Sequence, residues 1–458
     1  MTTATTPLNP GPVPPGPDGV PDRFARSSWF RQDRFGMFIH WGAYAVWARG
    51  EWVRSHEKVD AGTYQDAVDR FGAEHFDPET WADLAVAAGM KYAVLTAKHH
   101  DGFCLFDSAL TDYTSLHSGI GRDLVREFLD AFRSRGIRVG LYYSLLDWHH
   151  PDYPHYGDEH HPHRDDPAHA GHVADLDSYR RFLHGQIREL CTDYGPLDIL
   201  WFDFSYPDMG PAQWGAQEIV DMVRDLQPDV LIDNRLETSG GGLGSIATNT
   251  PNPYSGDFVS PEQVIPVDGI RGQDGMPVPW EACVTLNNSW GHCADDGLWK
   301  TPQQLITKLV ECVAKGGNLL LNIGPRPDGT LQPEAEQRLR AIGAWLDTNG
   351  ESIRGAGPAG LGTPEWGYYT RTANAVYAHV LRAPIGPLAL SGGIPKDRIA
   401  RMTSLADGRE LQLCDSWVID SYPNLPFVQF GEIGHHTYPL PDPVDTVIRI
   451  ELREERPA

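Results

Sequence analysis

Asp203 ends the run Leu-Asp-Ile-Leu-Trp-Phe-Asp at residues 197–203, where the apolar Leu197, Ile199, Leu200 and Phe202 predict a buried strand. Burying a lone carboxylate costs several kcal/mol or more, so its position demands a partner or a use. One use is catalysis, because barrel enzymes place their reactive groups at the carboxyl ends of strands. The plainer readings are a helix cap or a salt bridge. The other predicted strands end in similar groups: Ile39-His40-Trp41, Lys98-His99-His100-Asp101-Gly102, Tyr142-Tyr143-Ser144, Asn234-Arg235 and the run Asn287–Gly291. One such histidine is ordinarily structural. Six clusters at the same end of successive strands predict a cup lined with His, Trp, Tyr, Arg and carboxylates. Aromatic faces pack on the C–H face of a sugar, and His and Arg bond its hydroxyls. The spacing matches neither a serine nucleophile elbow nor a metal triad. The chemistry that this set suits is glycoside hydrolysis by a pair of carboxylates.

The elements that must hold these groups alternate from about residue 29 to residue 350. Strands are predicted at Gly36–His40, Tyr92–Ala97, Val139–Tyr143, Ile199–Phe202, Val230–Asp233, Cys283–Leu286 and Asn318–Ile323. Helices are predicted at Pro78–Ala88, Arg122–Arg135, Leu176–Tyr194, Gln213–Leu226, Pro302–Lys315 and Pro333–Asn349. Thr301 with Pro302 is an N-terminal capping signal, and Gly316-Gly317 is a C-terminal one. Seven strands alternating with helices predict an α/β domain over 23–354, a (β/α)8-like barrel. A doubly wound open sheet is the alternative, but no Gly-rich phosphate loop follows the first strand. Over 355–458 the pattern turns to short alternating strands such as Ala375–Leu381 and Thr446–Leu452, which predicts a C-terminal all-β domain, a sandwich.

With 458 residues the chain has room for two or three domains. Its formal net charge of −24 argues against nucleic acid and against an anionic membrane surface as partners. No apolar run reaches the roughly 18 residues of a membrane span. The six cysteines follow no zinc or disulfide spacing and suit a reducing compartment. Residues 1–22, rich in Thr, Pro and Gly, predict a disordered leader without a secretory signal, and hence a cytoplasmic protein. The stretch His149–His172 holds eight histidines among Asp, Pro and Tyr. Its spacing suits no helix face, so a polar loop above the barrel is expected rather than a catalytic metal site.

Several motifs, in order, carry a resemblance: Arg34-Phe-Gly-Met-Phe-Ile-His-Trp41, Thr96-Ala-Lys-His-His-Asp-Gly-Phe103, Leu200-Trp-Phe-Asp203, Trp280-Glu281, Ser289-Trp-Gly291 and Gly316-Gly-Asn-Leu-Leu-Leu-Asn-Ile-Gly-Pro325. From about Trp29 to Gly355 the chain resembles the α-L-fucosidases of glycoside hydrolase family 29. The resemblance implies a retaining, exo-acting enzyme without cofactor or metal, whose partner is a fucosylated oligosaccharide or glycoside. It implies that Asp203 is the nucleophile and that His40, His99, His100, Tyr143, Trp201, Arg235 and Trp290 hold the sugar. Trp41, Glu51 and Trp52 fall in motifs that reach the same sugar.

The acid/base comes from a variable loop in that family, so the motifs leave it open. Glu262 lies in a loop-like segment after the fifth strand and is favoured, since a loop residue can reach the side where the leaving group exits. Glu281, beside Trp280 at a strand start, is the competitor, and Asp257 follows. Two other readings stay open: a sugar-binding protein on the same barrel without catalysis, and a retaining glycosidase for a related sugar such as galactose.

Overall fold

The computed structural model describes residues 23–239, 242–432, 437 and 439–453, so the leader expected over 1–22 lies outside the described residues. Strands β1 (Phe35–Ile39), β2 (Tyr92–Lys98), β3 (Arg138–Ser144), β4 (Ile199–Asp203), β5 (Leu231–Ile232), β6 (Glu281–Thr285) and β7 (Asn318–Ile323) form one curled parallel sheet in the order β5-β4-β3-β2-β1-β7-β6. All seven strands expected from the sequence are present, with ends within two residues. Apart from Arg138 their residues are buried on both faces, which is why they read as continuous apolar runs rather than alternating ones.

An irregular segment brings the two edges of this sheet together. Residues 258–262 bridge in parallel to β5 through Asp233 and Phe258, and to the start of β6 through Val259 with Trp280 and Glu262 with Cys283. They occupy the eighth position of a (β/α)8-like barrel. Gly256 lets the chain enter this position, with φ +78 and its Cα so close to β5 that a Cβ would lie 2.2 Å from the Asp233 carbonyl oxygen.

The helices follow their caps. Thr301 Oγ1 accepts from Gln304 N at 3.2 Å while the Gln304 side chain accepts from Thr301 N at 2.8 Å, opening the helix Pro302–Ala314. The helix expected over Gln213–Leu226 is two, Pro211–Trp214 and Ala216–Leu226, because Gly215 takes φ +65 and ends the first in a left-handed cap. Among the described residues no helix is long and apolar enough to cross a membrane.

The C-terminal part is all β. Strands β8 (Gly357–Pro358), β9 (Gly367–Arg371), β10 (Val376–Val380), β11 (Leu388–Ala389), β12 (Ile399–Ser404), β13 (Glu410–Leu413), β14 (Phe427–Gln429) and β15 (Thr446–Leu452) form an antiparallel array in the order β11-β14-β13-β12-β15-β10-β9-β8. It has a core of its own, with Val376, Ala378, Leu388, Val428, Ile448 and Ile450 at its centre. A fully buried relay ties it to the barrel domain. Asp445 accepts from His379 Nδ1 at 2.7 Å, His379 Nε2 meets Thr370 Oγ1 at 3.0 Å, and Thr370 donates to Ser352 O at 2.7 Å.

Candidate active site

Inside the barrel, Phe38, Tyr142, Trp201, Cys283 and their neighbours form an apolar plug. The polar strand ends stand on it around an open, concave cavity. Asp203 closes β4 at its base, with 11% of its side chain exposed. Its Oδ1 accepts from Arg235 Nη1 at 2.7 Å and its Oδ2 from Tyr142 Oη at 2.8 Å. Burial pushes this carboxyl up from its ordinary range, with the charge of Glu262 adding to the rise, while Arg235 and Tyr142 pull it down. Arg235 is buried too, yet the Asp203 and Glu262 carboxylates around it hold the guanidinium firmly charged.

Arg235 also organises the second carboxylate. Its Nη2 donates to Glu262 Oε2 at 3.1 Å, and its Nε and Nη2 are anchored on Ser260 Oγ and O at 3.1 and 3.2 Å. Trp290 Nε1 donates to the other oxygen of Glu262 at 3.2 Å. One guanidinium therefore carries two carboxylates, on separate nitrogens. Asp203 is at the cavity base, and Glu262, 35% exposed, is nearer its mouth. This suits the short separation, about 5–5.5 Å, of a retaining glycosidase pair. Each carboxylate is followed by a non-glycine residue in the left-handed region: Phe204 at φ 88 and Gln263 at φ 58. Such backbone costs of order 1–3 kcal/mol and persists where its surroundings over-determine it.

The histidines are neutral acceptors. Ser144 Oγ donates to Leu146 O, so at 2.7 Å it accepts from His100 Nδ1, leaving the Nε2 lone pair 4.0 Å from Asp203. His40 Nδ1 donates to Asn322 Oδ1 at 2.6 Å, because the Asn322 amide nitrogen is donating to Trp290 O. Burial pushes His40 down to about 3 and His99 and His100 well below the ordinary imidazole range. Their free nitrogens can take hydrogen bonds from hydroxyls. Glu51 accepts from Gly291 N at 2.8 Å, beside Trp290, where burial raises its carboxyl. Trp52 packs edge-on against His100 and at a tilt against Phe204.

Comparison with known proteins assigns this arrangement. The family model for α-L-fucosidase matches residues 22–351. The chain is a member of the α-L-fucosidase family. Human tissue α-L-fucosidase is 32% identical over 394 residues, covering 78% of this chain and 76% of that one. Rat plasma α-L-fucosidase is 32% identical over 447 residues, 91% and 90% of the two chains. Among solved structures, α-L-fucosidase isoenzyme 1 from Paenibacillus thiaminolyticus superposes with a TM-score of 0.89 at 50% identity, over 94% of this chain and all of that one. A family 29 α-L-fucosidase from Bacteroides thetaiotaomicron, solved as a trapped covalent intermediate in a Glu-to-Gln variant, has a TM-score of 0.77 at 28% identity, over 94% and 96%.

In this fucosidase the cavity brings together most of the residues singled out in the sequence: His40, Glu51, Trp52, His99, His100 and Trp201 on its walls, with Asp203, Arg235, Glu262 and Trp290. Two of the expected sugar contacts do not reach it. Trp41 packs behind the wall against Phe71, Phe76 and Trp81 and donates to Arg326 O. Tyr143 points outward, its hydroxyl on Gln186 at 2.7 Å and its ring under the Lys98 ammonium. Its neighbour Tyr142 is the one that enters, since successive side chains of a strand alternate and Tyr142 pairs in register with the inward Trp201. Phe38, Phe204 and Cys283 also line the cavity. Tyr142→Phe is expected to lower kcat by about tenfold or more, through the lost bond to Asp203. Tyr143→Phe should leave kcat within twofold and cost about 1 kcal/mol of stability. Steady-state kinetics with an aryl fucoside and urea unfolding check the pair, and the reverse pattern would exchange the two tyrosines.

The competing carboxylates lie elsewhere. Asp257 is spent in structure, accepting from Arg26 Nε at 3.1 Å, Arg224 Nη2 at 2.5 Å and Ile232 N at 2.9 Å. Glu281 begins β6 at the opposite, amino-terminal end of the barrel, fully buried and bonded by the Tyr92 hydroxyl. Burial pushes it up to about 8, so at neutral pH it is a neutral acid. Because its folded value lies above its unfolded one, its contribution is complete below about pH 4.3 and is lost as pH rises towards 8. Glu281→Gln cannot ionise. It should therefore lose less melting temperature than the parent between pH 5 and 8, with kcat within a fewfold, as scanning calorimetry across that range would show. Parallel pH profiles of melting would refute it.

Proposed function

We propose that Asp203 is the nucleophile and Glu262 the acid/base of this retaining exo-α-L-fucosidase. In the first step an Asp203 oxygen attacks the anomeric carbon of the terminal fucose while Glu262 gives its proton to the departing glycosidic oxygen, leaving a covalent fucosyl-enzyme. In the second step Glu262 takes a proton from water, the resulting hydroxyl attacks the same carbon, and Asp203 leaves as the carboxylate. The observation that carries this reading is the Arg235 fork, which holds both carboxylates in one cavity while Glu281 and Asp257 are engaged outside it.

The walls divide the remaining tasks. The neutral His40, His99 and His100 accept from sugar hydroxyls, with Glu51 as a further acceptor. Trp290 and Trp52 cover the sugar's apolar edges, and the apolar surface of Phe38, Trp201 and Phe204 suits the C6 methyl that separates fucose from galactose. The substrate is a fucosylated oligosaccharide or glycoconjugate. A cytoplasmic location is the reading that the six unpaired cysteines support, and cell fractionation tests it. The function itself is tested by incubating the protein with a 2-deoxy-2-fluoro-fucosyl fluoride and mapping the label by peptide mass spectrometry. The label is expected on Asp203, and a label on another carboxylate would overturn the assignment.

A further inference from the structure

The loop His149–His172 takes no part in the chemistry above, yet its order is greater than its composition suggests. From Arg164 to His172 it runs as successive i→i+3 turns: Arg164 N donates to His161 O, Asp166 N to His163 O, His169 N to Asp166 O and His172 N to His169 O, at 2.9–3.1 Å. Only Pro167–His169 is a 3-10 helix, capped by Asp166, whose Oδ1 accepts from Ala168 N. The turns fold the chain back so that His163, Asp166 and His169 come close together.

We propose that His163, Asp166 and His169 form a site for a borderline divalent transition-metal ion, of the zinc, nickel or copper(II) class, that fastens this loop without entering the reaction. Each offers a donor atom within 4.8 Å of the other two. Two imidazoles and one carboxylate are the ligand types that this class of ion prefers. Asp166 is already oriented, because its Oδ1 accepts from Ala168 N at 3.0 Å while its Oδ2 faces His169 Nε2 at 3.9 Å. The imidazoles of His163 and His169 make no hydrogen bond among the described residues. By contrast His155, His161 and His172 each spend a ring nitrogen on the backbone. The His163 and His169 rings lie stacked, centroids 3.8 Å apart at 14°. A shared ion about 2.0–2.1 Å from each nitrogen requires one ring to turn about its side-chain bonds. Both are partly exposed, and no bond holds either back. None of the three lines the catalytic cavity. The same loop does carry His160, whose ring packs on Phe204 and Trp52 at 4.8 and 5.7 Å. An ion at 163–169 would thus steady a wall of the cavity from outside.

The test uses the full chain without an affinity tag, titrated with Zn2+ by calorimetry and with Cu2+ by electron paramagnetic resonance. One Zn2+ per chain is expected, with nitrogen hyperfine structure from two imidazoles on copper. A Zn2+ excess of 100-fold over the dissociation constant should raise the melting temperature by about 2–5 °C. His163→Ala/His169→Ala should weaken binding by at least about a hundredfold, and Asp166→Asn should weaken it as well. Both variants should melt with the parent when metal-free. Dialysis against EDTA should leave kcat on an aryl fucoside within twofold. Absence of stoichiometric binding, binding that survives the double variant, or binding lost instead in His155→Ala/His172→Ala would overturn the site. Activity lost to EDTA and restored by zinc would overturn its separation from catalysis.

Discussion

Asp203→Ala is expected to fold and to lose at least about a thousandfold in kcat on any fucoside, since the proposed mechanism forms its covalent intermediate on this carboxylate. The fold should survive because Arg235, which loses one partner, keeps Glu262 and both contacts to Ser260. Asp203→Asn should fold better still, keeping the shape and an acceptor for the guanidinium, with the same loss of turnover. The cavity left by the alanine is bordered by the Arg235 cation and the Tyr142 hydroxyl, two groups that stabilise an anion. External azide should therefore enter and attack the anomeric carbon of an activated aryl fucoside, giving fucosyl azide of inverted configuration. Kinetics with and without azide, with the product identified by NMR, decide the matter. Retention of more than about a tenth of kcat in the alanine variant would remove Asp203 from the nucleophile role.

Glu262→Ala should behave differently with different leaving groups. A sugar alkoxide leaves poorly and needs the proton, so hydrolysis of natural fucosides should fall by about two orders of magnitude or more. A nitrophenolate leaves without help, so the first step with the aryl fucoside should be largely spared. The second step then limits, the fucosyl-enzyme accumulates and KM falls. Azide should again rescue, but by attacking the intermediate, so the fucosyl azide now keeps the configuration of the substrate. The alkaline limb of the pH–rate profile should flatten with the loss of the catalytic proton. The variant should remain folded, because the side chain is a third exposed and its partners Trp290 and Arg235 are held by other contacts. Equal losses on both substrates would assign Glu262 to binding alone, and the leaving-group signature appearing in Glu51→Ala would move the role there.

Much of this site is a local property of the chain. The apolar runs at 35–39, 92–98, 199–203 and 318–323 read as buried strands by their length and composition, and a carboxylate or histidine at their ends stands out by its desolvation cost. Thr301 before Pro302 and Gly215 within an otherwise helical pattern act through bonds and dihedrals a few residues away, although the break at Gly215 was masked by the helical pattern on either side. The order of motifs then pointed to the family.

What local pattern could not decide depends on pairing between distant residues. Tyr142 and Tyr143 are chemically alike, and only the register of β3 on β4, some sixty residues further along, selects which one meets Asp203. Three acidic residues, Asp257, Glu262 and Glu281, were candidates for the acid/base. Their roles diverge because the chain after Gly256 inserts between β5 and β6, carrying Glu262 up to Arg235 while Asp257 meets Arg26 and Arg224 and Glu281 stays at the far end of the barrel. In the histidine loop the approach of His163, Asp166 and His169 comes from a chain of separate turns, which no helical period reveals. Burial and periodicity are written residue by residue along the chain. The face that a side chain presents, and the charge that it meets, are set by which distant segment comes to lie beside it, and that is a property of the folded barrel alone.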